Sequence, residues 1–213
     1  MQTLYKLTRD NGTTHNNTKW EVGTTHSLPK VNNPRLCTKD VLHAYKSPNL
    51  GLLLNPIHAN FTNPLLFKCE GEVVAEDWSK VGCSLLTITE QLPLPKWYAN
   101  ADTRKKVQAY FAILCAESVL PDDSIPRKAL ETARAYLEGK ATKKEVKAAA
   151  YAIYVAAYYA ARAAYAAFYA AYAACAAYAA YYVANATANA ACADSSINFI
   201  KLADEAVRWI KNE

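Results

Sequence analysis

Glycine is scarce in this chain: there are six among 213 residues, and none falls in a Gly-x-Gly-x-x-Gly or Gly-x-x-x-x-Gly-Lys arrangement. A phosphate cradle of the P-loop or dinucleotide type needs backbone approaches that glycine permits, so neither is available. The six cysteines, Cys37, Cys69, Cys83, Cys115, Cys175 and Cys192, stand singly with no Cys-x-x-Cys pair. That spacing excludes a zinc ribbon and a thioredoxin-type motif, and they read as reduced small hydrophobes. His15, His26 and His58 show no metal-ligand spacing, and a Gly-x-Ser-x-Gly elbow is missing too. No metal, no cofactor and no catalytic constellation is expected. The N-terminus, MQTLYKLTR, has no apolar run followed by small residues, so no signal peptide is expected and the chain reads as cytoplasmic. The sequons at Asn11, Asn16, Asn60 and Asn185 would then carry no glycan.

Charge of one sign is never concentrated. Residues 1–100 hold 10 basic and 8 acidic side chains, residues 101–147 hold 10 and 7, and the remainder 4 and 4. The densest basic runs, Arg104-Lys105-Lys106 and Lys140 to Lys147, sit where helices are expected to start and lack interleaved aromatics. They read as solvated helix turns, and no nucleic-acid partner is expected.

What is present divides in two. Residues 1–97 carry three of the four Trp, all four His and seven of the nine Pro, whereas residues 101–213 are built from Ala, Tyr, Lys and Glu. The fold class expected is α+β: an α+β domain over 1–97 and a helical domain over 98–213, joined near Pro93 to Ala101. Thr3 to Arg9 alternates and runs into Asp10-Asn11-Gly12, which predicts a leading strand and a hairpin turn. Leu65 to Ala75 and Ser84 to Leu92 read as strands. Two short helices are expected between the leading strand and Leu65, one over Val41 to Tyr45 headed by Thr38 and Asp40, and one capped by Ser47-Pro48.

In the second half, Asp102 is expected to cap a helix reaching about Val119. Ser124-Ile125-Pro126 opens another that stops at Gly139, and Thr142-Lys-Lys-Glu145 forms a capping box. An amphipathic helix over Ser196 to Asn212 closes the chain. From Ala148 to Ala193, 26 of 46 residues are Ala, 10 are Tyr and Arg162 is the one charge. An unbroken helix over that run would reach roughly 70 Å, so a bend or break within about 142–193 is expected, at Asn185 to Asn189 or else at Ala173 to Tyr178. The apolar content is too poor in Leu, Ile, Val and Phe for a membrane span. At 100° per residue Tyr151, Tyr154, Tyr158, Tyr165, Tyr169 and Tyr172 form a stripe with Arg162 beside it, a candidate protein-binding surface.

Pro126-Arg-Lys-Ala-Leu-Glu-Thr-Ala-Arg-Ala-Tyr-Leu-Glu-Gly139, followed by Thr142-Lys-Lys-Glu-Val146 and the Ala-rich run, resembles the immunity proteins of bacterial toxin systems. The resemblance covers about residues 121–193 and implies a helical protein that neutralises a toxin by binding it. Over roughly residues 2–95, Leu42-His-Ala-Tyr-Lys-Ser-Pro48, Leu66-Phe-Lys-Cys-Glu-Gly-Glu-Val73 and Lys80-Val-Gly-Cys83 resemble an uncharacterised domain of tailed-phage accessory proteins. That likeness implies a phage-type origin, hence a host cytoplasm, and brings no activity with it.

Together these readings point to a non-catalytic binding protein directed at a toxin or host defence effector, with self-association as an open possibility. Two alternatives stay open. His43, Tyr45 and Glu90 are similar in type to the His, Tyr and Glu of ADP-ribosyltransferases, which would make the first domain a nucleotide site. Their spacing is wrong for that arrangement, and a packed or capping His43 fits better. The other alternative is a structural protein that assembles through its long helix.

Overall fold

The computed structural model describes residues 1–120, 125–157, 169–170, 173 and 179–211. The chain has the α+β fold expected and divides into two compact units, Met1–Lys96 and Trp97–Glu213.

The first unit is built on five antiparallel strands, β1 (Gln2–Thr8), β2 (Thr25–Ser27), β3 (Leu42–Ala44), β4 (Leu65–Glu76) and β5 (Val81–Leu92). Strand β4 pairs β1 on one side and β5 on the other. The free edge of β5 is shared, by β3 at Val81 to Cys83 and by β2 at Leu85 to Thr87. Just beyond β3, Tyr45 and Tyr5 exchange both backbone hydrogen bonds at 2.8 Å. That bridge joins β3 back to β1, so the sheet closes into a small barrel and two of its edges disappear.

Leu4, Phe67, Cys69, Val81, Cys83, Leu86 and Ile88 form the core with Trp20 and Ala44. Each large apolar side chain removed from water there contributes about 1.5–3 kcal/mol. Gly71 is required by this crowding, because a Cβ on it would lie 2.8 Å from Leu86 and 2.9 Å from the Cys83 sulfur. Lys6 also points into the packed region. It is 5% exposed, its Nζ donates to the His43 carbonyl at 2.8 Å, and it sits 4.1 Å above the Trp20 ring.

Helix α1 (Pro48–His58) starts where expected, with Ser47 Oγ accepting from the Leu50 N–H at 3.3 Å and Pro48 in the first turn. Two expectations are corrected. Within Val41 to Tyr45 the chain forms strand β3 (Leu42–Ala44) and the Tyr45 bridge rather than a helix, because its backbone pairs β5 on one side and Tyr5 on the other. The Asp10-Asn11-Gly12 turn forms, with Gly12 N–H donating to Arg9 at 2.9 Å, but β1 pairs β4 instead of the segment after the turn.

The second unit comprises α2 (Lys96–Ala99), α3 (Ala101–Glu117), α4 (Ile125–Leu137), α5 (Lys143–Ala157), α6 (Ala179–Ala193) and α7 (Phe199–Lys211). Helix α3 is its centre, buried continuously from Val107 to Ala116 and packed by α4, α6 and α7. Its cap is Asn100 rather than Asp102: Asn100 Oδ1 accepts from the N–H groups of Asp102 and Thr103 at 3.0 and 2.9 Å. Helix α6 buries Ala186 and Ala190 completely, and small side chains of this kind allow neighbouring helix backbones to approach closely. Asn185 to Asn189 is a continuous part of α6, not a break. Asn189 Nδ2 donates to the Asn185 carbonyl at 2.8 Å, so this polar side chain finds a partner within the helix. Most of Ala173 to Tyr178, the other expected break, lies outside the described residues. The capping box is present, with Glu145 N–H donating to Thr142 Oγ1 and Thr142 N–H to Glu145 Oε2. Among the described residues no helix is long and apolar enough to cross a membrane.

Candidate binding cleft of the helical unit

Helix α4 is strongly amphipathic. Ala129, Leu130, Ala133 and Leu137 are buried, and the residues between them carry the charge. This polar side does not simply face solvent. Arg127, Glu131, Arg134, Ala135 and Glu138, with Glu117 from the end of α3, line an open cleft of about 350 Å³. Arg127, Glu131 and Arg134 stand at i, i+4 and i+7, one face of one helix.

Both arginines are held from inside the protein. One nitrogen of Arg127, Nη2, donates to the carbonyls of Glu117, at 2.7 Å, and of Leu120. The first closes α3 and the second lies in the turn just beyond it, where the helix dipole favours a cation. Arg134 Nη2 bonds Glu117 Oε2 at 2.6 Å, and its guanidinium lies 5.1 Å over the ring of Tyr110. Tyr110 in turn stacks on Trp209 of α7, with ring centres 4.4 Å apart and planes at 9°.

Glu117 titrates above the usual carboxylate range. Burial is the main cause, Arg134 and Arg127 oppose it, and Glu205 and Glu131 add to it. The Tyr110 hydroxyl is likewise raised by burial, against the pull of Arg134. Glu131 is exposed at the mouth, and Glu138 accepts from the exposed Lys140 ammonium at 2.8 Å.

The tyrosine stripe is described only in part. Tyr151 is 65% exposed on α5, and Tyr169 is half-buried. Tyr154 belongs to α5, but its side chain lies outside the described residues, as do Tyr158, Arg162, Tyr165 and Tyr172 altogether.

In the barrel unit, His43 lies in β3 and Tyr45 just beyond it, each with other partners, and Glu90 does not join them. His43 pairs Gly82 across β3 and β5, and Glu90 lies eight residues further along β5, roughly 25 Å of strand. The His43 ring is structural in its contacts: its Nε2 accepts the Cys37 N–H at 2.9 Å. Tyr45 packs against α1 at Gly51, where a Cβ would sit 2.9 Å from its ring. It also stacks on His58 with its hydroxyl 3.2 Å from Nδ1. Burial holds both histidines down to about 4, with Lys6 and Lys80 adding to the effect at His43 and Lys80 at His58. Glu70, Glu72 and Glu76 line the exposed side of β4, as a solvated strand face would.

Composition and stripe arguments overlook the cleft, although the motif helix contains three of its charged residues. Projecting Arg127, Glu131 and Arg134 onto a helical wheel would have put them together. Glu117 comes from another helix, and nothing in the sequence ties it to them. Comparisons with protein-family models, with curated proteins and with solved structures return no match for this chain.

Proposed function

We propose that this chain is a binding protein that neutralises a bacterial toxin or a host defence effector by protein–protein contact, and that its helical unit carries the contact surface. The convergence of Arg127, Glu131 and Arg134 on one open cleft carries the reading. These are three of the four charged positions of α4, the helix that resembles immunity proteins; the fourth, Lys128, is exposed and outside the cleft. A helix needing only solubility scatters its charges toward water, whereas here three of four share a concavity with a carboxylate from a second helix. The exposed ring of Tyr151 on α5 adds the kind of large, low-entropy contact residue that interfaces favour.

The test uses the full chain, tagged, as bait in host lysate and against a panel of co-expressed bacterial toxin domains. A captured protein present in stoichiometric amount, whose toxicity or enzymatic activity falls when the chain is co-expressed, is the expected result. Absence of any such protein, or capture without loss of the captured protein's activity, would sink the reading.

A further inference from the structure

We infer that Asn11 is a latent site of self-modification: its side chain closes onto the Gly12 backbone nitrogen to form a succinimide when the turn after β1 opens, and the folded turn holds that reaction off. Asn11-Gly12 is the one Asn-Gly step in the chain, and a following glycine hinders attack on the carboxamide least because it carries no Cβ. The step needs only water and base. The Gly12 amide gives up its proton, its nitrogen bonds Asn11 Cγ, the Cγ–Nδ2 bond breaks and ammonia leaves. Water then opens the ring at either carbonyl, leaving an aspartyl residue or, with the main chain rerouted through Cβ, an isoaspartyl one.

Exposure alone would leave the site open, since Asn11 lies on the surface. The hydrogen bonds of the turn close it. The Gly12 N–H, whose nitrogen must attack, donates to the Arg9 carbonyl at 2.9 Å, and an imide nitrogen has no hydrogen with which to keep that bond. Asn11 Oδ1 accepts from the Thr13 N–H at 3.0 Å and from Thr13 Oγ1 at 2.7 Å, so the carboxamide is clasped by the residue beyond Gly12. The segment is tied against shifting to release either bond. The Arg9 N–H reaches the Thr13 carbonyl and the Trp20 N–H the Gly12 carbonyl, both at 2.8 Å, while Lys19 Nζ donates to the Asn11 carbonyl at 2.7 Å. Trp20 is 1% exposed in the barrel core, and a Cβ on Gly12 would lie 2.8 Å from its carbonyl oxygen. Ring closure therefore waits on an opening that frees the turn from Trp20. An isoaspartyl residue, which lengthens the main chain by one carbon inside this set of bonds, does not restore them.

Peptide mapping by mass spectrometry, on the intact chain held in mildly alkaline buffer with and without denaturing guanidinium chloride, tests this. Replacement of NH by O at Asn11 should outpace that at every other asparagine in denaturant, and should run at least about tenfold slower in the folded protein. Thr13→Val removes the hydroxyl clasp and leaves the backbone bonds, so it should speed the folded-state reaction severalfold while its rate in denaturant stays that of the parent. Its circular dichroism spectrum shows whether it folds, and the two parent rates decide the matter if it does not. When denaturant is removed, isoaspartyl chains, identified against a synthetic peptide standard, should be depleted from the folded fraction. Equal parent rates in both conditions, a lag of Asn11 behind other asparagines in denaturant, a folded Thr13→Val chain no faster than the parent, or isoaspartyl chains shared evenly between folded and unfolded fractions would each overturn the inference.

Discussion

Lys6 is an ammonium group inside a barrel, and among the described residues no carboxylate pairs with it. Its charge is met by one carbonyl, that of His43, and by the face of Trp20. Burial therefore brings its pKa down to about 8, with the nearby thiols of Cys69 and Cys83 opposing the change. Those thiols respond in kind, since burial pushes them up to about 12 and about 11 and keeps them protonated at neutral pH. Between pH 8 and 10.5 the unfolded chain keeps the Lys6 proton and the folded chain has released it, so the Lys6 contribution to stability rises with pH across that window. The shift corresponds to an effect on the order of 3 kcal/mol. Lys6→Met removes the titrating group while keeping most of the side-chain volume. Above about pH 9 the raised thiols of Cys69 and Cys83 work the other way and offset this gain, because the unfolded chain releases protons that the folded chain keeps. The Lys6 effect is therefore read as a difference: between pH 7.5 and pH 10 in urea denaturation the variant should lose about 2 kcal/mol more than the parent chain, and an equal change in both would show that Lys6 does not titrate in this way.

At the scale of elements, α3 and α4 are joined by one carboxylate–guanidinium pair, Arg134–Glu117, beside the Arg127–carbonyl bonds and the buried apolar face of α4. Replacing Arg134 with Met keeps the apolar stem over Tyr110 but strands Glu117, whose side chain is 18% exposed. A cost of about 1–2 kcal/mol at pH 7 follows from leaving that charge without its partner. Glu117 already titrates above its ordinary value, and without Arg134 it titrates higher still. The folded state then takes up a proton that the unfolded state does not, and stability recovers as pH falls toward 5. Thermal melts of Arg134→Met and of Arg134→Met/Glu117→Gln at both pH values separate these effects. The double variant should lose less than the single one at pH 7 and show little recovery.

The same helices show how far local sequence carries. Ser47-Pro48 and the Thr142–Glu145 box announce their helices because a cap is satisfied within three or four residues. Val41 to Tyr45 misleads because its strand character comes from partners at Val81 to Cys83 and Tyr5, remote in sequence. Polar residues at Asn185 to Asn189 look like a break until one side chain is seen to bond back to the preceding turn. The cleft is legible by halves for the same reason: Arg127, Glu131 and Arg134 share a helix face, whereas Glu117 arrives through tertiary packing.

For the whole molecule, the step in composition between residues 93 and 101 falls at the boundary of the two compact units, and their buried titrating groups, His43 and His58 in one and Glu117 in the other, respond to acid in opposite directions. His43 and His58 lie in the barrel unit with pKa values held down to about 4, against 6.5 when unfolded. As pH falls from 6.5 to 4 the unfolded chain gains two protons that the folded barrel refuses. Both rings keep some contact with solvent, so the loss is on the order of 1–2 kcal/mol for each rather than the full value of the shift. Protonation would also cost the bond from the Cys37 N–H, because the accepting Nε2 of His43 would become a donor. In the helical unit the raised pKa of Glu117 works the other way, adding stability as pH falls toward it. Amide hydrogen exchange on the intact chain, corrected for the intrinsic effect of pH, should therefore show protection in β4 and β5 dropping between pH 7 and 4.5 while protection in α3 holds. His43→Gln retains an acceptor for the Cys37 N–H and cannot titrate, so it should remove about half of the loss in the strands. A uniform loss of protection in both units, or a His43→Gln chain as acid-sensitive as the parent, would show that the barrel histidines do not govern the acid response.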